Sequence, residues 1–340
     1  MTQTRTSSTT QDMKPSLEPL LTLVQQELEA VNALILRRLD SEVSLIPLMA
    51  SHILAAGGKR LRPLLTIAAA KALGYTGNRH INLAACVEFI HTATLLHDDV
   101  VDASELRRGL PTANTLWGNE ASVLVGDFLF SRAFELMVED GSLDVLRLLS
   151  RASARIAEGE VWQLTTNGDL ETTEEQYLKI VEAKTSALFD AACATGATLA
   201  GAGPEDIEAF SAYGRHLGIA FQIADDVLDY QGSAATMGKA KGDDFREGKM
   251  TLPVIHAVRH ATEEEKAFWH RVMVDQTQQN GDLEVACLCI QRTGALEYAK
   301  NQACFHVDMA HKALTSITRC PTDFHQALAM AAQHSLIRGA

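Results

Sequence analysis

The sequence predicts an all-α protein, a single domain built from many helices. Three observations carry this. Only 8 prolines interrupt 340 residues. Long stretches place apolar residues at helical spacing. No alternating apolar–polar run of useful strand length is present, and no composition shift or linker divides the chain.

Taken in order, residues 1–15 ("MTQTRTSSTTQDMKP") are polar and Ser/Thr-rich, and are expected to be a disordered tail ahead of one domain over 16–340. They have no apolar core of the kind a secretory signal carries. Residues 17–39, "LEPLLTLVQQELEAVNALILRRL", read as one amphipathic helix. "GGKRLRP" follows at 57–63, with Pro63 suited to a helix start. Residues 80–102, "HINLAACVEFIHTATLLHDDVVD", form a helix apolar nearly all round, as a central buried helix would be. Another helix is expected over 119–139. Residues 173–201 open on a Thr-x-x-Gln capping box and close at Gly201 and Gly203. The segment 204–230 begins with Pro204 and two acids that suit the helix dipole. The stretch 231–253, "QGSAATMGKAKGDDFREGKMTLP", is too glycine-rich to be helical throughout, and is either a solvated linker or a cationic lid over an anion.

Composition narrows the function. Hydrophobic residues make up 46% and charged residues 21%, which suits a water-soluble globular chain. A net charge of −13 with no basic block argues against a nucleic-acid partner. Its 6 cysteines form no CxxC pair and show no zinc spacing, so free thiols in a reducing cytoplasm are expected. No uninterrupted apolar run approaches the ~18 residues of a bilayer span.

Two acidic clusters carry the chemistry. "LLHDDVVD" holds Asp98, Asp99 and Asp102; "FQIADDVLDY" holds Asp225, Asp226 and Asp229. On a helix Asp98 and Asp102 lie one turn apart on one face, as do Asp225 and Asp229. One such cluster could be a helix cap or a solvated face. Two, each directly after an apolar run where unpaired acids are costly, favour hard cations that take a few carboxylates together with substrate phosphates. Basic residues lie nearby in sequence: Lys59, Arg60 and Arg62 after two glycines, and Arg107 and Arg108 beyond the first cluster. Acidic platforms plus basic patches suit two phosphorylated substrates, one held through metal and one held directly.

The segments "GGKRLRP", "HTATLLHDDVVD" with the following "RRGLPTAN", "VGDF", "EAKTS", "FQIADDVLDY" and "GKAKGDDFREGKMTLP" resemble the trans-isoprenyl diphosphate synthases from about residue 20 onward. The resemblance implies the isoprenoid synthase fold, a large helical bundle around a central cavity. It also implies an enzyme that adds isopentenyl diphosphate to an allylic diphosphate, and two to three Mg2+ per active site. Asp98, Asp102, Asp225 and Asp229 would hold the metal, with Asp99 and Asp226 beside them in the catalytic set. Lys184 and Lys239 would act on the allylic diphosphate, with Arg107, Thr185, Gln222 and Lys249 as its further contacts. Lys59, Arg62, His91 and Arg108 would form the isopentenyl diphosphate site. The family also implies a homodimer; the location expected from the thiols is cytoplasmic, and peripheral membrane contact for product release is a further expectation that the family does not supply.

A class I terpene cyclase shares the first acidic motif, but "DDVLD" and "GGKRLRP" count against it. A non-catalytic subunit of a heteromeric synthase usually lacks aspartates in one motif, and both are intact here. Ala93 and Thr94, just ahead of Asp98, are small where short-chain members place aromatic rings. A long product is therefore expected, with Met137 and Leu149 as candidate walls farther down.

Overall fold

The computed structural model describes residues 15–55, 58–231 and 241–337. The expected tail (except Pro15), Gly57, Lys239 and residues 232–240 of the glycine-rich segment lie outside the described residues. The architecture is helical. In chain order the helices are α1 (Glu18–Leu23), α2 (Gln25–Arg38), α3 (Leu45–Ala55), α4 (Leu61–Ala72), α5 (Arg79–Val101), α6 (Ala113–Trp117), α7 (Asn119–Asp140), α8 (Leu143–Thr166), α9 (Glu174–Val181), α10 (Ala187–Leu199), α11 (Pro204–Gln231), α12 (Asp243–Arg246), α13 (Leu252–Arg259), α14 (Glu263–Trp269), α15 (Asp282–Arg292), α16 (Ala295–Thr315) and α17 (Thr322–His334).

Helix α5 is buried on most of its circumference and packs against α4 and α7. Helix α11 lies against α10 and α16. Two hydrophobic clusters result. The larger joins α1, α2, α4, α5, α7, α8 and α10 to the first half of α11. The smaller gathers the second half of α11 with α13, α15 and the start of α16. The half of α11 carrying Asp225 is thus held in one apolar cluster, and α5 with Asp98 in the other.

Two expectations need correction, and a third gains detail. The helix over 17–39 breaks at Val24, whose backbone leaves the helical region at φ −133° and ψ 23°. Val24 is fully buried, and the break brings the apolar stripes of both short helices onto the same core. The helix over 173–201 has its capping box at Thr173–Gln176, but a π-helical turn, Glu182–Ser186, interrupts it. The stretch 231–253 is not all loop: α12 forms within it, and α13 starts at Leu252.

One small sheet exists among the described residues, a hairpin of β1 (Leu106–Arg107) and β2 (Leu110–Pro111). Its two turn residues, Arg108 and Gly109, have φ +53° and +78°, as a type I′ turn requires.

Candidate active site

A cavity of about 540 Å3 lies between α5, α8, α11 and the π turn. Asp98 and Asp102 reach it from α5; Gln222, Asp225, Asp226 and Asp229 reach it from α11. Lys184 and Thr185 enter from the π turn, and Lys59, Arg62, His91, Arg107, Arg108 and Lys249 complete the polar wall. Thr94, Leu95, Ile156, Phe189 and Phe221 add a less polar surface. Residues far apart in sequence therefore converge on one space.

The π turn is the local device that presents Lys184 and Thr185. Such turns widen the helix by one residue and are frequent at functional sites. Close packing holds it in place: a Cβ on Gly159 would sit 2.5 Å from the Lys184 backbone nitrogen. The Lys184 ammonium donates to Glu160 Oε2 at 2.7 Å and to Gln163 Oε1 at 2.6 Å. Thr185 donates to Gln222 at 2.8 Å, and Gln222 donates to Asp226 at 2.8 Å.

The six aspartates divide by role. Burial pushes the Asp98 carboxyl up to about 7; Lys184 opposes this, and Glu160 and Asp102 add to it. Asp102 accepts from Lys249 at 2.9 Å. Burial disfavours charge on Lys249, but Asp244, Asp102 and Glu247 outweigh it and raise its pKa. Asp99 does not line the cavity; it grips Arg107 through two guanidinium nitrogens, at 2.6 and 3.0 Å. Asp99, expected in the catalytic set, is thus placed behind the cavity wall, where it points the arginine. Asp226 is buried, accepts from Tyr177 Oη at 2.6 Å, and is pushed far above the usual carboxylate range by burial and Asp244. Asp229 accepts the backbone N–H groups of Asp243 and Asp244 at 3.2 and 3.3 Å, so both its oxygens fasten the start of α12. That use competes with the expected metal-ligand role. Burial, with Asp244 and Asp243, pushes Asp229 up to about 7.

The basic residues form a second group. Arg62 donates to His91 Nε2 at 3.1 Å, and its guanidinium stacks 4.3 Å from the centre of the Phe189 ring. His91 is held well below its usual pKa by burial and then by Arg62, Arg107, Arg108 and Arg60, so four guanidinium groups surround a neutral imidazole. Arg60 and Arg108 both adopt left-handed backbone, a strain that collects at functional sites. Arg60 is paired with Glu88.

Hard carboxylate oxygens, among them a half-buried acid raised to about 7, fit a divalent cation. Among the described residues no three acidic, histidine or cysteine side chains are grouped to hold a metal by themselves. Magnesium, for its part, takes only one or two carboxylates along with waters and substrate phosphates.

Of the chain-length candidates, Thr94 lines the cavity. Ala93, Met137 and Leu149 are sealed in the larger hydrophobic cluster and do not form part of its wall. Glu160, Gln163, Tyr177, Glu247 and Phe189 were not anticipated. The pair Glu160–Gln163 carried a signal, polar residues one turn apart directly after a glycine. Tyr177 carried none, since its partner is 49 positions away.

Comparison with known proteins agrees with this geometry. Residues 43–290 match the polyprenyl synthetase family. The chain is 46% identical over 306 residues to octaprenyl diphosphate synthase of Escherichia coli (strain K12), covering 90% of this chain and 94% of that protein. It is 43% identical over 298 residues to all-trans-nonaprenyl-diphosphate synthase (geranyl-diphosphate specific) of Rhodobacter capsulatus, covering 87% and 91%. The crystal structure of polyprenyl synthase from Caulobacter crescentus CB15, complexed with calcium and isoprenyl diphosphate, superposes with a TM-score of 0.93 at 47% identity, covering 97% of this chain and 100% of that one. With a family match across most of its length, identity far above 30%, and the acidic and basic groups facing one cavity, the chain belongs to the polyprenyl synthetase family.

Proposed function

We propose that the protein is an all-trans polyprenyl diphosphate synthase. It extends an allylic diphosphate, farnesyl diphosphate by preference, with isopentenyl diphosphate units to a long chain, octaprenyl diphosphate for a ubiquinone side chain. The observation that carries this is the convergence of Asp98, Asp102 and Asp225 with Lys59, Arg62 and Arg108 on one cavity that also has an apolar wall. A substrate with a polyanionic head and a greasy tail needs both surfaces.

Asp98, Asp102 and Asp225 would hold magnesium. When bound, the metal neutralises diphosphate charge and makes it a better leaving group. Lys184, Arg107 and Lys249 donate to the oxygens of the departing diphosphate, where charge builds in the transition state. Thr185 and Gln222 orient the same group. Lys59, Arg62 and Arg108 bind isopentenyl diphosphate, with neutral His91 beside them, so that its double bond attacks the allylic cation. Phe189, Phe221 and Ile156 keep water from that cation. The departing diphosphate, still held by Lys184, takes the proton lost as the new double bond forms. Lys239 and the 231–253 segment are proposed to complete the allylic site.

A synthase of another chain length is the second reading, since the relatives named above make octaprenyl and nonaprenyl products. A non-catalytic subunit is a third. Incubation with isopentenyl and farnesyl diphosphates plus magnesium, followed by chromatography of the dephosphorylated products, tests all three. A long prenyl alcohol is expected; a magnesium-saturated protein giving no extension would sink the enzyme reading.

We further propose a cytoplasmic homodimer. Among the described residues no helix is long and apolar enough to cross a membrane. Helix α7 exposes Leu124, Phe134 and Val138, with Val138 69% accessible. A row of apolar side chains on one helix suits a second copy better than water. Val138→Asp should lower the mass seen by light scattering to that of one chain while leaving the circular dichroism unchanged; an unaltered mass would place the interface elsewhere. Release of the product at a membrane face is part of the same proposal.

A further inference from the structure

The last turn of the C-terminal helix reaches the mouth of the cavity. His334 ends α17, and its Nε2 lies 2.7 Å from the Lys59 ammonium, across 275 positions of chain. A lysine ammonium has donors and no acceptor, so His334 Nε2 accepts and the ring proton is on Nδ1. That Nδ1 faces the carbonyl of Pro15 at 3.3 Å, an acceptor that fixes the same tautomer. The imidazole is therefore set from both sides, by the start of the described chain and by the basic loop. Helix α17 itself packs on α1 and α4, and Ser335 closes its end through Ala332 O at 2.7 Å.

Lys59 lines the cavity and is exposed at its mouth. Its neighbours are fixed more firmly: a Cβ on Gly58 would lie 3.0 Å from the Arg108 guanidinium, and Arg60 is tied to Glu88. Lys184, Lys249 and Arg107 are all aimed by carboxylates, which reduce the charge they offer. An imidazole acceptor aims an ammonium without cancelling its charge.

We propose that His334 is a positioning residue for isopentenyl diphosphate, acting through Lys59. The proposal rests on the functional reading above and deepens it. By holding the lysine at the mouth in one geometry, His334 removes part of the ordering cost that diphosphate capture would otherwise carry.

The test uses the full-length, magnesium-loaded enzyme at saturating farnesyl diphosphate. His334→Leu is expected to raise KM for isopentenyl diphosphate about three- to tenfold, the effect of freeing one rotamer-rich side chain. The kcat and the allylic KM should shift less than about twofold, because the acidic clusters are untouched. His334→Gln, whose amide oxygen can accept from Lys59, should restore most of the loss. In a Lys59→Ala background His334→Leu should add nothing, since the group it positions is gone. Melting temperatures of all variants establish that they are folded. An unchanged KM, a parallel rise in both substrates' KM, or full additivity with Lys59→Ala would each overturn the proposal. The same cycle read by calorimetric titration of inorganic diphosphate needs no turnover. An inactive wild type would thus refute the functional reading, whereas absent coupling in the titration would refute the role of His334.

Discussion

Asp98 embodies a conflict between folding and function at the scale of one residue. Its carboxyl is ordinarily ionised above pH 3.8, yet burial, against Lys184 and with Glu160 and Asp102, pushes it up to about 7. Between those values the native state binds a proton that the unfolded chain does not, so the metal-free fold loses stability as pH rises from 3.8 through 7. Asp98→Asn removes that penalty. The metal-free variant should be more stable than wild type at pH 8, by about 1–2 kcal/mol, and the gain should fade as pH falls toward 4. Turnover should drop by several orders of magnitude, because a proposed ligand to the cation is gone. Thermal scans with and without magnesium at the two pH values read both effects; a variant equally stable to wild type at pH 8 would show that Asp98 is already relieved by its neighbours. The residue scale is also where sequence was least able to divide labour. "DDVVD" placed Asp98, Asp99 and Asp102 together, but only the fold shows that Asp99 faces Arg107 and not the cavity. The repeat of i, i+4 spacing was legible because it needs only helical geometry. The use of Asp229 to fasten α12 was not, because its partners are backbone amides 14 and 15 positions later.

Among the elements, the π turn and the α11–α16 contact make the sharpest demands. Lys184 and Thr185 depend on a widened turn that fits only because Gly159 lacks a side chain. Gly159→Ala forces α8 away from the turn. It should cost about 1–3 kcal/mol of stability, as overpacking does, and reduce kcat by displacing Lys184 from the departing diphosphate. Denaturant melts and steady-state kinetics check this; wild-type kcat in the variant would show that the turn tolerates a methyl group. No periodicity could have announced the π turn, since one inserted residue leaves the apolar pattern nearly intact. The α11–α16 contact carries a histidine pair, half-buried His216 Nδ1 to buried His306 Nδ1 at 3.0 Å. Burial, then His216, lowers His306 to about 4 from an ordinary 6.5. A depressed histidine contributes stability that is complete above pH 6.5 and is lost as pH falls through 4, because the unfolded chain takes up the proton first. The loss should approach about 2–3 kcal/mol at pH 4. Asp98 acts oppositely in the same window, so the quantity to measure is the difference between His306→Asn and wild type. The variant should be destabilised at pH 7.5 and lose less than wild type on acidification to pH 4.5. Parallel pH profiles would exclude His306 as the titrating group.

At the scale of the whole molecule, the all-α class was legible from proline scarcity and helical periodicity, and α5, α7 and α11 from their apolar runs. What sequence could not supply was the third dimension of the cavity, because a tunnel wall is a set of small residues on different helices with no common spacing. Ala93 and Thr94 both read as open positions. In the fold Thr94 lines the cavity, with its hydroxyl on His91 O at 2.8 Å, whereas Ala93 is fully buried in the cluster that also holds Met137 and Leu149. Thr94 and Ile156 line the cavity on the side next to the acidic cluster of α5. If chain length is set there, Thr94→Phe narrows the passage one turn from Asp98 and should shift the product toward short prenyl chains with the metal site intact. Ala93→Tyr should shift it the same way, but at an overpacking cost of about 1–3 kcal/mol, since its Cβ meets packed core and not open space. Leu149→Ala separates the two ends of the passage. If the tail reaches that far, the product should lengthen; if it does not, the variant loses about 2–5 kcal/mol of stability and keeps its product. Chromatography of dephosphorylated products, read beside the melting temperature of each variant, decides among these. A folded, active Thr94→Phe enzyme with unchanged chain length would remove the tail from this side of the cavity altogether.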